Sequence, residues 1–263
     1  KRAPATVEFT DILTMARGGT QSLVDVASYR NADALVHVVR AFRDHSVPHP
    51  SGSIDPVRDA QAMEDELLLA DLGVIERRLE RLAKDLKRSY SNELEHEQQL
   101  VQRCRAALEE GTPLRALEMT NADLKQLRGF QLLSAKPLLL VINLDEKDLT
   151  DVGVNIQKVA DRTGLTKFLA RAATTAVAVC GKIELEISQL ESLDASVFLQ
   201  DLGLNESGLD RVIQSSYDLL GYLSFFTVGE DECRAWSIPK NTPAQIAARE
   251  IHSDISRGFI RAE

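Results

Sequence analysis

Apolar residues fall along this chain in two alternating patterns, short unbroken runs and longer stretches of helical spacing. Residues 137–142, PLLLVI, are apolar throughout, with Lys136 before them and the polar Asn143-Leu144-Asp145-Glu146 after. That length and pattern predict a strand buried on both faces of a parallel sheet. Residues 34–39, ALVHVV, and 175–180, TAVAVC, predict two more such strands, and residues 6–11, TVEFTD, are β-rich and end at Asp11. Helical spacing covers residues 23–30, 121–130, 154–160, 166–172 and 183–191. Strand, loop and helix repeating in this way predict a parallel α/β domain with right-handed crossovers.

A different pattern begins at residue 57. Leu68, Leu72, Ile75, Leu79, Leu82 and Leu86 recur at spacings of four and three, a heptad seam. Residues 89–92, SYSN, break the seam, and residues 93–108 resume it until Gly111-Thr112-Pro113 stops the helix. Two such helices joined by a short polar link predict an antiparallel coiled-coil hairpin inserted into the α/β alternation. Near the C-terminus, residues 209–220 predict an amphipathic helix. Residues 224–228 and 233–238 predict a β-hairpin across the turn 229–232, and Thr242-Pro243 an N-cap opening a helix to about residue 257. Two strands and one helix leave sheet edges open, so this last unit reads as unfinished.

Composition narrows the classes. No apolar run approaches the ~18 residues needed to span a bilayer, and the opening residues lack the apolar core of a signal peptide. Cys104, Cys180 and Cys233 are far apart and form no CxxC pair. A reducing, cytoplasmic setting is therefore expected, with no membrane partner and no DNA partner. The formal net charge of −9 argues against general coating of nucleic acid. One local exception is residues 76–88, where six basic residues stand against three acidic ones. Charge alone reads this as a solvated helix face.

Candidate chemistry gathers after the strand at 137–142. Open α/β sheets bind ligands beyond the carboxyl ends of their strands. Asn143 can donate and accept there, while Glu146, three residues on, can only accept, a combination suited to a purine edge. A polar turn after any buried strand is the plainer reading of the same residues. Cys180-Gly181-Lys182 forms a small-residue turn that allows close approach of a ligand, or a simple strand-to-helix bend. His37, inside an apolar run, reads as a core histidine. His45 and His49, on the Pro-rich loop at 42–56, have no third ligand nearby that would make a metal site.

Seven segments together resemble the Obg-like ATPase family, the YchF group of translation-factor-class P-loop proteins. They are PATVEFTDI (4–12), ADALVHVVRAF (32–42), SGSIDPVRDA (51–60), ELLLADLGVIERRL (66–79), KPLLLVINLDEKD (136–148), VAVCGKIELEI (177–187) and GLDRVIQSSYDLLGYLSFFTVGEDECRAWSIP (208–239). The resemblance spans nearly the whole chain in the family's order, and its last segment is similar to the family's β-grasp TGS module. It implies a P-loop NTPase-like, mostly parallel α/β sheet at residues 1–56 and 114–204. The coiled-coil insertion then falls at 57–113 and a partial TGS domain at 205–263. Asn143, Leu144 and Glu146 match the family's NxxE variant of the base-recognition motif, which implies an ATP-preferring site with GTP as the alternative ligand. Cys180 and Gly181 fall on the second base-contacting loop. Asp11 matches an aspartate that contacts Mg²⁺ through water, and His49 matches a loop histidine implicated in hydrolysis. The implied partners are a purine nucleotide and the ribosome or ribosomal RNA.

The departures are equally specific. No G-x-x-x-x-G-K-[ST] occurs in the 263 residues, and Asp11-Ile12-Leu13-Thr14 stands where the family has DxAG. The chain is therefore expected to correspond to the middle and late part of a longer protein. A short loop, interrupted or rebuilt, is expected after Asp11. Two functions follow. One is a nucleotide-dependent regulatory ATPase acting near the ribosome, this stretch alone being inactive. The other is a catalytically inactive binding protein that keeps the coiled coil and TGS fold as partner surfaces.

Overall fold

The computed structural model describes residues 2–11 and 26–261. The switch-like stretch predicted to follow Asp11 lies outside the described residues. In chain order the elements are β1 (Arg2–Ala3), α1 (Val26–Asn31), β2 (Leu35–Arg40), α2 (Pro56–Arg88), α3 (Asn92–Glu109) and α4 (Asn121–Leu127). There follow β3 (Leu138–Asn143), α5 (Glu146–Val152), α6 (Ile156–Thr163), α7 (Thr166–Leu169), β4 (Thr174–Val179) and α8 (Gly181–Ser188). The last are α9 (Ser192–Asp201), α10 (Gly208–Leu219), β5 (Tyr222–Val228), β6 (Cys233–Pro239), α11 (Ala244–Ile251) and α12 (Ser253–Arg257).

Strands β2, β3 and β4 form a parallel sheet in that order, in register from Leu35–Leu138–Thr174 to Arg40–Asn143–Val179. The central strand β3 is buried along five of its six residues, as an all-apolar run predicts. One face, through Leu140, Ile142 and Ala178, packs on the first half of α2 and on α6, α7 and α8. The other, through Leu139, Val141, Val177 and Val179, packs on Val212 and Leu219 of α10. The edge strand β2 departs from expectation: Val36 and Val38 are exposed, because α2 covers only the side presenting Leu35 and Val39.

The leucine seam builds a helical pair. α2 begins at an Asp55 cap that accepts from Arg58 N at 3.0 Å and runs 33 residues, on the order of 50 Å at the α-helical rise. α3 restarts behind Ser91, whose side chain accepts from Leu94 N. Ile75, Leu82, Val101 and Cys104 are sealed between the helices, each large side chain contributing about 1.5–3 kcal/mol of burial. Arg78 and Glu97 close the pair with two 2.6 Å hydrogen bonds. At its base Glu64 of α2 accepts two 2.7 Å hydrogen bonds from Arg115, both side chains at 0–1% exposure. Asp71 accepts from Leu133 N and Ser134 N at 2.8 and 2.7 Å. α2 is thus fixed to the loop that feeds β3.

Two other expectations need correction. Residues 6–11 form no strand; the paired residues are Arg2 and Ala3, which lie parallel to Cys233 and Arg234 of β6 in the order β1-β6-β5. The open edge of the C-terminal hairpin takes up this segment, and Asp11 stands exposed outside both sheets. Thr242 does not cap α11: its hydroxyl donates to Pro239 O at 2.6 Å, and Pro243 holds the cap position. The single helix predicted after it is two, broken at His252, whose extended backbone and ring nitrogen cap α12 instead.

Candidate functional site

An open cleft of about 1240 Å³ lies at the carboxyl ends of β3 and β4, lined among others by Asn143, Leu144, Glu146, Cys180, Gly181 and Lys182. Two chain segments far apart in sequence meet here because β3 and β4 are neighbours in register. Asn143 ends β3, and Leu144 N extends the ladder by donating to Val179 O at 2.8 Å. Gly181 opens α8, and its N–H donates to Asn143 Oδ1 at 2.9 Å. With its oxygen committed to Gly181, the Asn143 amide has its Nδ2 hydrogens left to offer a ligand. A side chain at position 181 would place Cβ 3.3 Å from that same nitrogen, so glycine keeps the amide clear.

Glu146 is the first residue of α5 rather than a loop residue, which places its carboxylate in the first helical turn. It faces Lys182, whose Nζ lies 3.4 Å away, with both side chains more than half exposed. Leu144 and Cys180 sit lower. Each is 2% exposed and part of the core, so they form the floor of the cleft.

Three further residues at or beside the cleft take their roles from the structure. Lys182 is the third residue of the Cys-Gly-Lys turn, and its position after a strand is the available signal. Asp145, inside the base motif, accepts Arg43 N on both oxygens at 3.1 and 3.2 Å, tying the loop after β2 to the cleft. Arg40 winds that loop around itself, donating to Phe42 O, Val47 O and Asp44 O at 3.2, 2.9 and 3.1 Å. Asp145 and Arg40 carry no sequence signal, because their partners are backbone groups.

The structure does not bring the other two candidates into the cleft. His49 is not among the lining residues; its Nε2 lies 2.9 Å from Asp59 Oδ2. Asp11 is exposed and outside the lining set, and among the described residues no group of three or more His, Cys, Asp or Glu side chains could hold a metal.

Among the described residues no helix is long and apolar enough to cross a membrane. Comparison with known proteins matches residues 222–263 to the family model described as YchF-GTPase_C, a protein of unknown function (DUF933). The chain is 38% identical over 267 residues to the "Ribosome-binding ATPase YchF" of Bacillus subtilis, covering 100% of this chain and 72% of that protein. It is 34% identical to the protein of the same name from Escherichia coli O157:H7, covering 99% of this chain and 70% of the relative. The solved structure of the Schizosaccharomyces pombe YchF GTPase superposes with a TM-score of 0.72 at 30% identity, over 88% of this chain and 61% of that one.

Proposed function

This chain belongs to the YchF family, and from that premise we propose that it is the base-reading and partner-binding part of a cytoplasmic, ribosome-associated ATPase that prefers ATP to GTP. The observation that carries the reading is the 2.9 Å hydrogen bond from Gly181 N to Asn143 Oδ1. It leaves Nδ2 to donate to N7, an acceptor that adenine and guanine share. Glu146 then discriminates between them. Adenine presents an amine donor at position 6, which a carboxylate can accept, whereas guanine presents an oxygen there. Facing acceptor to acceptor leaves a polar group unmet at a cost of roughly 1 kcal/mol, the low end of the buried range because Glu146 is more than half exposed, or severalfold in affinity.

The division into residues 1–56, 57–113, 114–204 and 205–263 is part of this proposal. So is a role for His49 in hydrolysis, which rests on its match to the family's loop histidine. The 263 residues contain no G-x-x-x-x-G-K-[ST], and that favours a second reading for this stretch alone, a binding unit without hydrolysis. Mg²⁺ accompanies the nucleotide phosphates in such sites, held largely by phosphate and water, and the family match makes Asp11 the residue proposed to contact it through water. Calorimetric titration of ATP and GTP into the protein and into Glu146→Asp tests the proposal. Tighter ATP binding, with a gap that narrows in Glu146→Asp, is expected, and equal affinities in the wild type would overturn it.

On the partner side, Arg77, Arg81, Lys84 and Arg88 are exposed on α2 at helical spacings of four, three and four. This is one continuous basic stripe on a chain that is negative overall, and it is the surface we assign to ribosomal RNA. Arg78 is not part of it, because both arms of its guanidinium are held by Glu97.

A further inference from the structure

His49 is hydrogen-bonded at one ring nitrogen and lies beside a carboxylate at the other. Ser51 N donates to Nδ1 at 3.1 Å, so Nδ1 carries no proton and the ring holds its proton on Nε2. Nε2 lies 2.9 Å from Asp59 Oδ2, with the histidine side chain 13% exposed and the aspartate 21%. Asp59 Oδ1 is occupied by Arg58, whose Nε donates at 3.0 Å. Oδ2 is buried and has no well-aligned hydrogen-bond donor. The His49 imidazole stands beside it at ion-pair distance.

We propose that Asp59 is a positioning residue that stows His49, so that the histidine must leave Asp59 before either ring nitrogen can face a nucleotide or an attacking water. The inference rests on the proposed role of His49 in hydrolysis. In the stowed geometry Nδ1 accepts from Ser51 N, Nε2 faces the Asp59 carboxylate, and the ring is absent from the cleft lining. The carboxylate that holds it stands in the first turn of α2, the same continuous helix that carries the basic stripe. The stripe proposed to meet a partner and the carboxylate that holds the histidine therefore share one helix.

The test uses the full-length protein with ATP and Mg²⁺, comparing wild type, His49→Ala, Asp59→Asn and the double variant. Proton–nitrogen correlation spectra of the histidine rings are recorded alongside. Expected results are an Nε2–H tautomer for His49 in the wild type and mixed tautomers in Asp59→Asn. Basal turnover in Asp59→Asn should rise about threefold or more, and the double variant should match His49→Ala. Turnover that falls or stays level in Asp59→Asn, while His49→Ala is impaired, overturns stowing and leaves the role of His49 standing. Wild-type turnover in His49→Ala overturns both. An unaltered His49 spectrum in Asp59→Asn overturns the pairing itself. If Asp59→Asn does not fold, Asp59→Glu displaces the carboxylate by one methylene and should change spectrum and turnover in the same direction.

Discussion

Asn143 Oδ1 receives the N–H of Gly181 at 2.9 Å, and a Cβ on Gly181 would stand 3.3 Å from Asn143 Nδ2. One residue thus both holds the other's amide and leaves room for it. Gly181→Val should push the amide aside and weaken nucleotide binding roughly tenfold while lowering stability by no more than about 1–2 kcal/mol. Calorimetry alongside urea denaturation separates the two effects, and a loss of binding matched by global unfolding would count against this assignment.

Lys182 is the counterweight to Glu146. Its ammonium, 3.4 Å from the carboxylate, is a donor able to meet the guanine oxygen that Glu146 cannot. Lys182→Ala should therefore weaken GTP more than ATP and widen the ratio between them. Since both side chains are largely exposed, little change in melting temperature is expected. Parallel titrations of both nucleotides read the ratio directly.

The Glu64–Arg115 pair at the base of the helical hairpin is fully buried, with Arg171 3.3 Å from the same carboxylate. Glu64→Gln strands two guanidinium groups and should cost about 3–5 kcal/mol, whereas Glu64→Leu with Arg115→Met should cost clearly less. Urea midpoints of the single and double variants decide the matter.

The elements that could be read from sequence are those whose signal is periodic. The all-apolar 137–142 run, the leucine seam from Leu68 to Leu86 and the Gly229–Glu232 turn appear as β3, the α2–α3 pair and the β5–β6 hairpin. What could not be read depends on neighbours. TVEFTD has strand composition but no partner in this sheet, and β2 is apolar along most of its length although only one of its faces is covered. At the site, Asn143, Glu146 and Gly181 were legible because residue type and spacing announce them. The links from Asp145 to Arg43 N and from His49 to Asp59 were not, because a loop's path decides them.

His37 supplies a pH signature. Burial between β2 and α2 pushes its imidazole down to about 4, and the nearby Asp59 carboxylate opposes that shift. The unfolded chain, with an ordinary value near 6.5, therefore takes up the proton first as pH falls. Stability from this group is complete above about pH 6.5 and is lost on the way down to about 4, by up to roughly 2–3 kcal/mol. His37→Val should flatten the urea midpoint over that window relative to wild type. A slope that survives the substitution assigns the effect to other groups.

The basic stripe makes the most demanding prediction, because it separates charge that is available from charge that is used. Arg77, Arg81, Lys84 and Arg88 are exposed and form no ion pair among the described residues, while Arg78, adjacent in sequence, is locked to Glu97. Reversing three of the four stripe charges to Glu should weaken co-sedimentation with ribosomes. It should also lower the slope of affinity against salt, by roughly 0.7–0.9 for each phosphate no longer neutralised. Arg78→Glu reverses one charge in the same way, but its main effect should be to loosen the helical pair, by about 1 kcal/mol or more, through the facing Glu97. Ribosome pelleting across a salt series, with thermal melts of the same proteins, distinguishes the two. If Arg78→Glu weakened pelleting as much as a single reversal within the stripe, net charge alone would drive association and the stripe would not be a docking surface.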